Sequence, residues 1–70
     1  MAKTRYEIIR IKQHSDMFLC QIAVDETPCV PFWSTAMQRK ELGEEAWIRS
    51  LCENAEQLVR NYGRATEVLH

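Results

Sequence analysis

Seventy residues with nine Lys+Arg against ten Asp+Glu, a net charge of −1 and a hydrophobic share of 46% describe one small folded domain. That charge balance excludes generic binding of nucleic acid or acidic lipid through overall charge. No apolar run approaches the ~18 residues that cross a bilayer.

A chain this short buries roughly 60% of the surface it exposes when unfolded, so nearly every apolar side chain needs a core or a partner. The charge is unevenly placed. Residues 1–12 carry Lys3, Arg5, Arg10 and Lys12 against Glu7 alone, a local +3. Cys20, Cys29 and Cys52 form no short-spaced pair. Their odd number, with no secretory leader ahead of them, favours free thiols in a reducing, cytoplasmic setting.

RYEIIRIK and MFLCQIAV are rich in β-branched and aromatic residues and flank the polar cluster QHSD. They predict a β-hairpin with strands near 5–12 and 17–25. A two-residue loop at His14-Ser15 pairs Gln13 with Asp16, Lys12 with Met17 and Arg10 with Leu19. A four-residue loop, 13–16, gives the same register. Neither loop residue is the Gly or Asn that tight primed turns prefer. In that register Ile9, Ile11, Phe18, Cys20, Ile22 and Val24 form a core face. The opposite face holds Tyr6, Ile8, Arg10, Lys12, Met17, Leu19, Gln21 and Ala23. Half apolar and half basic, it is less polar than a wet sheet face ordinarily is, which predicts that something covers it.

TPCVPFWS, residues 27–34, reads as a connection. Pro28 and Pro31 make a literal PxxP, the spacing of polyproline ligands, though stiffening a connection and stopping edge pairing explains them more simply. Adjacent side chains in an extended segment point to opposite sides. Of Phe32 and Trp33, one therefore closes the core; the other packs over the second sheet face beside Leu19 and Met17, or stands out as an interface anchor.

Thr35 and Gln38 have capping-box spacing, which predicts a short helix at about 35–42. Its phase breaks at Gly43, and the main helix follows at about 44–62. There Trp47, Ile48, Leu51, Cys52, Ala55, Leu58, Val59 and Tyr62 form an apolar stripe about 140° wide. Glu44 and Glu45 suit its first turn, and Gly63 its C-terminal stop. RATEVLH, with Thr66 and Val68 alternating against Glu67 and Leu69, predicts a third strand beside the hairpin.

The expected fold is therefore a single α+β domain, 1–70, in the order β-β-α-α-β. A three-stranded, largely antiparallel sheet is built from the N-terminal hairpin and the C-terminal strand, with the main helix packed on one face.

Several chemistries lack their residues. Two glycines offer no phosphate loop. His14 and His70 share no ligand spacing with the cysteines, so no metal or other cofactor is expected. Cys29 has no base placed beside it, and the adjacent acidic pairs Asp25-Glu26 and Glu44-Glu45 diverge instead of flanking a substrate. A non-enzymatic chain is the expectation.

The favoured function is a protein-binding module, a regulator or inhibitor of the bacterial or phage accessory type by analogy. It would occupy a partner's surface through Tyr6, Ile8, Arg10, Lys12, Met17, Leu19, Phe32 and Trp33. One alternative is a homodimer pairing through the same sheet face. The other is a single-stranded nucleic-acid binder using the basic first strand, with Tyr6 stacking a base; one aromatic and a net charge of −1 weigh against it. No membrane partner is expected.

Overall fold

The computed structural model describes residues 3–69. The chain forms β1 (Tyr6–His14), β2 (Met17–Val24), β3 (Thr27–Pro28), β4 (Phe32–Thr35), α1 (Ala36–Leu42) and α2 (Glu44–Tyr62). The class is α+β with an antiparallel sheet, but the sheet has four strands and all of them precede the helices.

β1 and β2 make the expected hairpin in a different register. The turn is Ser15-Asp16, so Lys12 faces Leu19, not Met17, and Gln13 faces Phe18, not Asp16. Ser15 accepts φ 59° at the first turn position, the sign pattern of a type II′ turn without its usual glycine. Because the slip is two residues, the faces of the upper hairpin are unchanged.

The lower hairpin is different. A β-bulge between Ile8 and Arg10 shifts the register, so Ile8 faces Ile22 and Tyr6 faces Val24. One extra residue reverses the alternation. Tyr6 and Ile8 therefore leave the face of Arg10 and Lys12 and join the side on which α2 lies. Ile9, expected in the core face, sits at the bulge and stays half-exposed.

The third layer of pairing comes from the segment read as a connection. β3 pairs with the end of β2 (Ala23 with Pro28, Val24 with Thr27), and β4 pairs with its start (Leu19 with Trp33, Cys20 with Phe32). Both lie along the same edge of β2, interrupted near Val30 and Pro31. The two-residue turn Asp25-Glu26, with φ 49° and 70°, closes the β2–β3 hairpin. Asp25 reinforces it by accepting the Arg5 amide on Oδ1 at 2.9 Å and donating its own amide to the Arg5 carbonyl at 2.8 Å. Prolines fit here because an edge strand has outward amides that need no partner in the ladder.

The C-terminal strand predicted near 64–70 is not formed. Residues 64–69 are irregular (His70 lies outside the described residues). With β3 and β4 already on one side of β2 and β1 on the other, the tail has no place in that ladder beside β2. It packs instead through the Ala65 amide, 2.9 Å from the Pro28 carbonyl, and through Gln21.

Both helices form as their periodicity demands. Thr35 caps α1, its Oγ1 accepting from the Gln38 amide at 3.0 Å. Gly43, at φ 83°, carries the bend into α2. Trp47, Leu51 and Ala55 bury the α2 stripe against Phe18, Cys20, Ile22 and Val24, with Phe32 and Cys29 completing the core. Tyr62, the last residue of that stripe, remains exposed, since α2 is only partly covered beyond Ala55. Among the described residues no helix is long and apolar enough to cross a membrane.

Candidate functional site

The sheet has two unlike faces. The α2 side is closed by a polar clasp at its rim: Trp47 Nε1 donates to Ser34 Oγ at 2.9 Å, and Ser34 Oγ donates to Gln38 Oε1 at 3.1 Å. Arg39 lies over the Phe18 and Trp47 rings, 5.6 and 5.2 Å from their centroids, while its Nη2 pairs with Glu44 at 2.8 Å.

The opposite face is divided in two. Over its lower half the tail covers Gln21. Gln21 is 0% exposed. Its Nε2 donates to the carbonyls of Cys29 (2.9 Å) and Glu67 (2.8 Å), and its Oε1 accepts from the Leu69 amide at 2.7 Å. The cover that a half-apolar sheet face called for is thus the chain's own C-terminus, tied down by one satisfied amide.

The upper half is open. Directly opposed residues share a face, so Lys12, Leu19 and Trp33 form one row across three strands, and His14, Met17 and Thr35 form the next. Trp33 is 54% exposed, Met17 and Leu19 half-buried beside it, and Arg10 and Lys12 rim the β1 side. The His14 ring meets the Trp33 ring edge-on at 5.6 Å between centroids. The sheet therefore presents one wide indole on its β4 edge, next to Met17 and Leu19 on β2, with Arg10 and Lys12 across the strip on β1.

Of the residues named from the sequence, Arg10, Lys12, Met17, Leu19 and Trp33 come together on this face. Phe32 does not, being buried in the core opposite Cys20. Tyr6 lies on the α2 side, where its Oη donates to Glu56 Oε1 at 2.9 Å. That bond holds the phenol's pKa above its ordinary value, because donating to a carboxylate favours the protonated form. Ile8 lies near it on the same side. His14 belongs to the open face and was missed, since a turn residue in the expected register has no face. The signal for the bulge was present in the Ile8-Ile9 doublet, which breaks the apolar/polar alternation of the strand.

Cys29, read as a loop thiol, is fully buried in the core, and its amide donates to the Ile22 carbonyl at 3.0 Å. Burial pushes the Cys20 thiol from 9.0 up to about 11, helped by Cys29 nearby. It also raises Cys29 and the half-buried Cys52. We expect a thiol reagent at neutral pH to modify Cys52 alone in the native protein, slowly, and all three after unfolding; rapid native labelling of Cys20 would contradict the packing. A folded-state pKa above the unfolded one stabilises the protein below about pH 9, and that stability is lost as pH rises through about 11. Denaturant midpoints should fall across that window.

Among the described residues no group of three or more His, Cys, Asp or Glu side chains is gathered in a way that would hold a metal ion. Comparison with protein-family models, curated proteins and solved structures gave no match.

Proposed function

We propose that this protein is a non-enzymatic protein-binding module, a regulator or inhibitor that occupies a partner's surface with the open upper half of its outer sheet face. The observation that carries the reading is Trp33. Trp and Arg dominate binding energy at protein interfaces, above all where an aromatic is surrounded by apolar contacts that exclude water. Trp33 has Met17 and Leu19 beside it, and its strand pairs directly with β2, the strand that carries much of the core. Arg10 and Lys12 suit a partner with an apolar recess and an acidic rim.

The test is to compare what the wild type and Trp33→Ala capture from the same lysate, with Met37→Ala on exposed α1 as control. Trp33→Ala should retain the fold by circular dichroism and lose the specific partner, while Met37→Ala keeps it. Identical capture by all three sinks the reading.

A second reading is favoured by the same exposed tryptophan sharing a sheet face with Arg10 and Lys12. Single-stranded nucleic acid stacks its bases on exposed aromatics beside cations. Quenching of Trp33 by an oligonucleotide, weakened by added salt, would support that reading over the first.

A further inference from the structure

The outer edge of β1 is a backbone feature that the docking reading leaves unexplained. β1 is nine residues long, and among the described residues no strand pairs with its outer side. α2 packs over β2, so β1 overhangs the helix and Ile8 is left 47% exposed on that side. Long edges of this kind recruit another strand unless they are blunted.

The geometry points to a second copy of this chain as the occupant, joined by antiparallel pairing of β1 with β1 about a two-fold axis between Ile9 and Arg10. Three features of the strand agree on that register. The first is backbone direction. The Arg5 carbonyl faces β2, accepting from Asp25, so alternation turns the amides and carbonyls of Tyr6 and Ile8 outward. Above the bulge the hairpin closes at His14–Met17, which turns those of Ile11 and Gln13 outward. Pairing Ile8 with the partner's Ile11, and Tyr6 with the partner's Gln13, joins outward groups to outward groups.

The second feature is the face. The bulge puts Ile8, opposite Ile22, on the same side as Ile11, opposite Cys20. The dimer therefore buries both isoleucines of each copy against each other on the overhang. The third is charge. Glu7, opposite Ala23, and Lys12, opposite Leu19, share the other face, and this register sets Glu7 against the partner's Lys12 twice. Since each copy carries the same bulge at the axis, the two edges stay in step across it. An eight-stranded sheet results, with both Trp33 faces on one side. The pairing leaves Met17, Leu19 and Trp33 free and shares only Lys12 with the docking face, and it is read by mass in solution, so it stands or falls separately from partner capture.

The experiment is sedimentation of the full chain over a wide concentration range, for the wild type and four variants. The wild type should dimerise. Glu7→Lys and Lys12→Glu, both at exposed positions, should each raise the dimer Kd on the order of tenfold, and combining them should restore it. Ile8→Pro removes an outward amide that the monomer does not use, and should leave a folded monomer. If Ile8→Pro fails to fold, the charge-reversal pair decides. A monomeric wild type overturns the inference, and so does a dimer whose affinity ignores the charge reversals.

Discussion

Gln21→Leu is expected to release the C-terminal segment and to cost about 2–4 kcal/mol of stability, from orphaned hydrogen-bonding groups at roughly 1–3 kcal/mol each. Leucine fills a similar volume, so packing loss is not the main effect. What is lost is the fully used amide. The carbonyls of Cys29 and Glu67 and the amide of Leu69 all depend on it. If the tail stays in place, those groups are buried without partners. If it leaves, the groups reach water, but the outer face beneath loses its cover and the Ala65–Pro28 bond goes with it. Either course destabilises the fold. Denaturant unfolding gives the magnitude, and amide exchange at Ala65 and Leu69 distinguishes the two courses. Unchanged stability together with unchanged protection would remove Gln21 from this role.

The second large effect belongs to Trp47. It is 2% exposed, its ring 5.0 Å from that of Phe18, and its Nε1 is the donor of the rim clasp through Ser34. Truncating a buried aromatic to alanine costs about 3–5 kcal/mol. A chain of 70 residues has about 4–10 kcal/mol in all, at 0.05–0.15 per residue. Trp47→Ala should therefore remove between about a third and all of the domain's stability at room temperature. Trp47→Phe keeps most of the buried area and loses the donor to Ser34, so it should cost less than half as much and remain folded. Circular dichroism with urea titration separates the two. A folded Trp47→Ala of near wild-type stability would mean that the core does not depend on this ring.

These variants also divide the fluorescence. Trp47 is enclosed and Trp33 is wet, so the blue-shifted emission should survive Trp33 replacement and vanish with Trp47. The same split underlies the function proposed: the enclosed tryptophan holds the fold, and the wet one is free to bind.

How legible this was from the residues follows from the range of the forces involved. α2 begins and ends where its stripe, its acidic first turn and Gly63 place it, and α1 where Thr35 caps it. Helical hydrogen bonds and caps are satisfied within a few residues, so the local sequence contains nearly all that decides them. The hairpin and the core alternation of β2 were legible for a similar reason, since period two marks one buried face.

Strand partners are another matter. Whether residues 27–35 or 64–69 complete the sheet depends on which segment pairs with the β2 edge and in what register, a choice made by groups far apart in the chain. Both are extended-compatible, and TPCVPFWS carries two prolines that argue against a strand unless it is an edge. The site inherited this uncertainty. Arg10, Lys12, Met17, Leu19 and Trp33 could be gathered from alternation, whereas one bulged residue sent Tyr6 and Ile8 to the other side.

By itself, then, the sequence determined the α+β class, the two helices, the apolar inner face of the first hairpin and the need for a cover on the other. Tertiary structure alone decided that the connection becomes the third and fourth strands, that the tail is the cover, held by Gln21, and that of Phe32 and Trp33 it is Trp33 that is left in water. Helices satisfy their backbone within themselves, while a strand or an irregular tail satisfies its own only through groups distant in the chain.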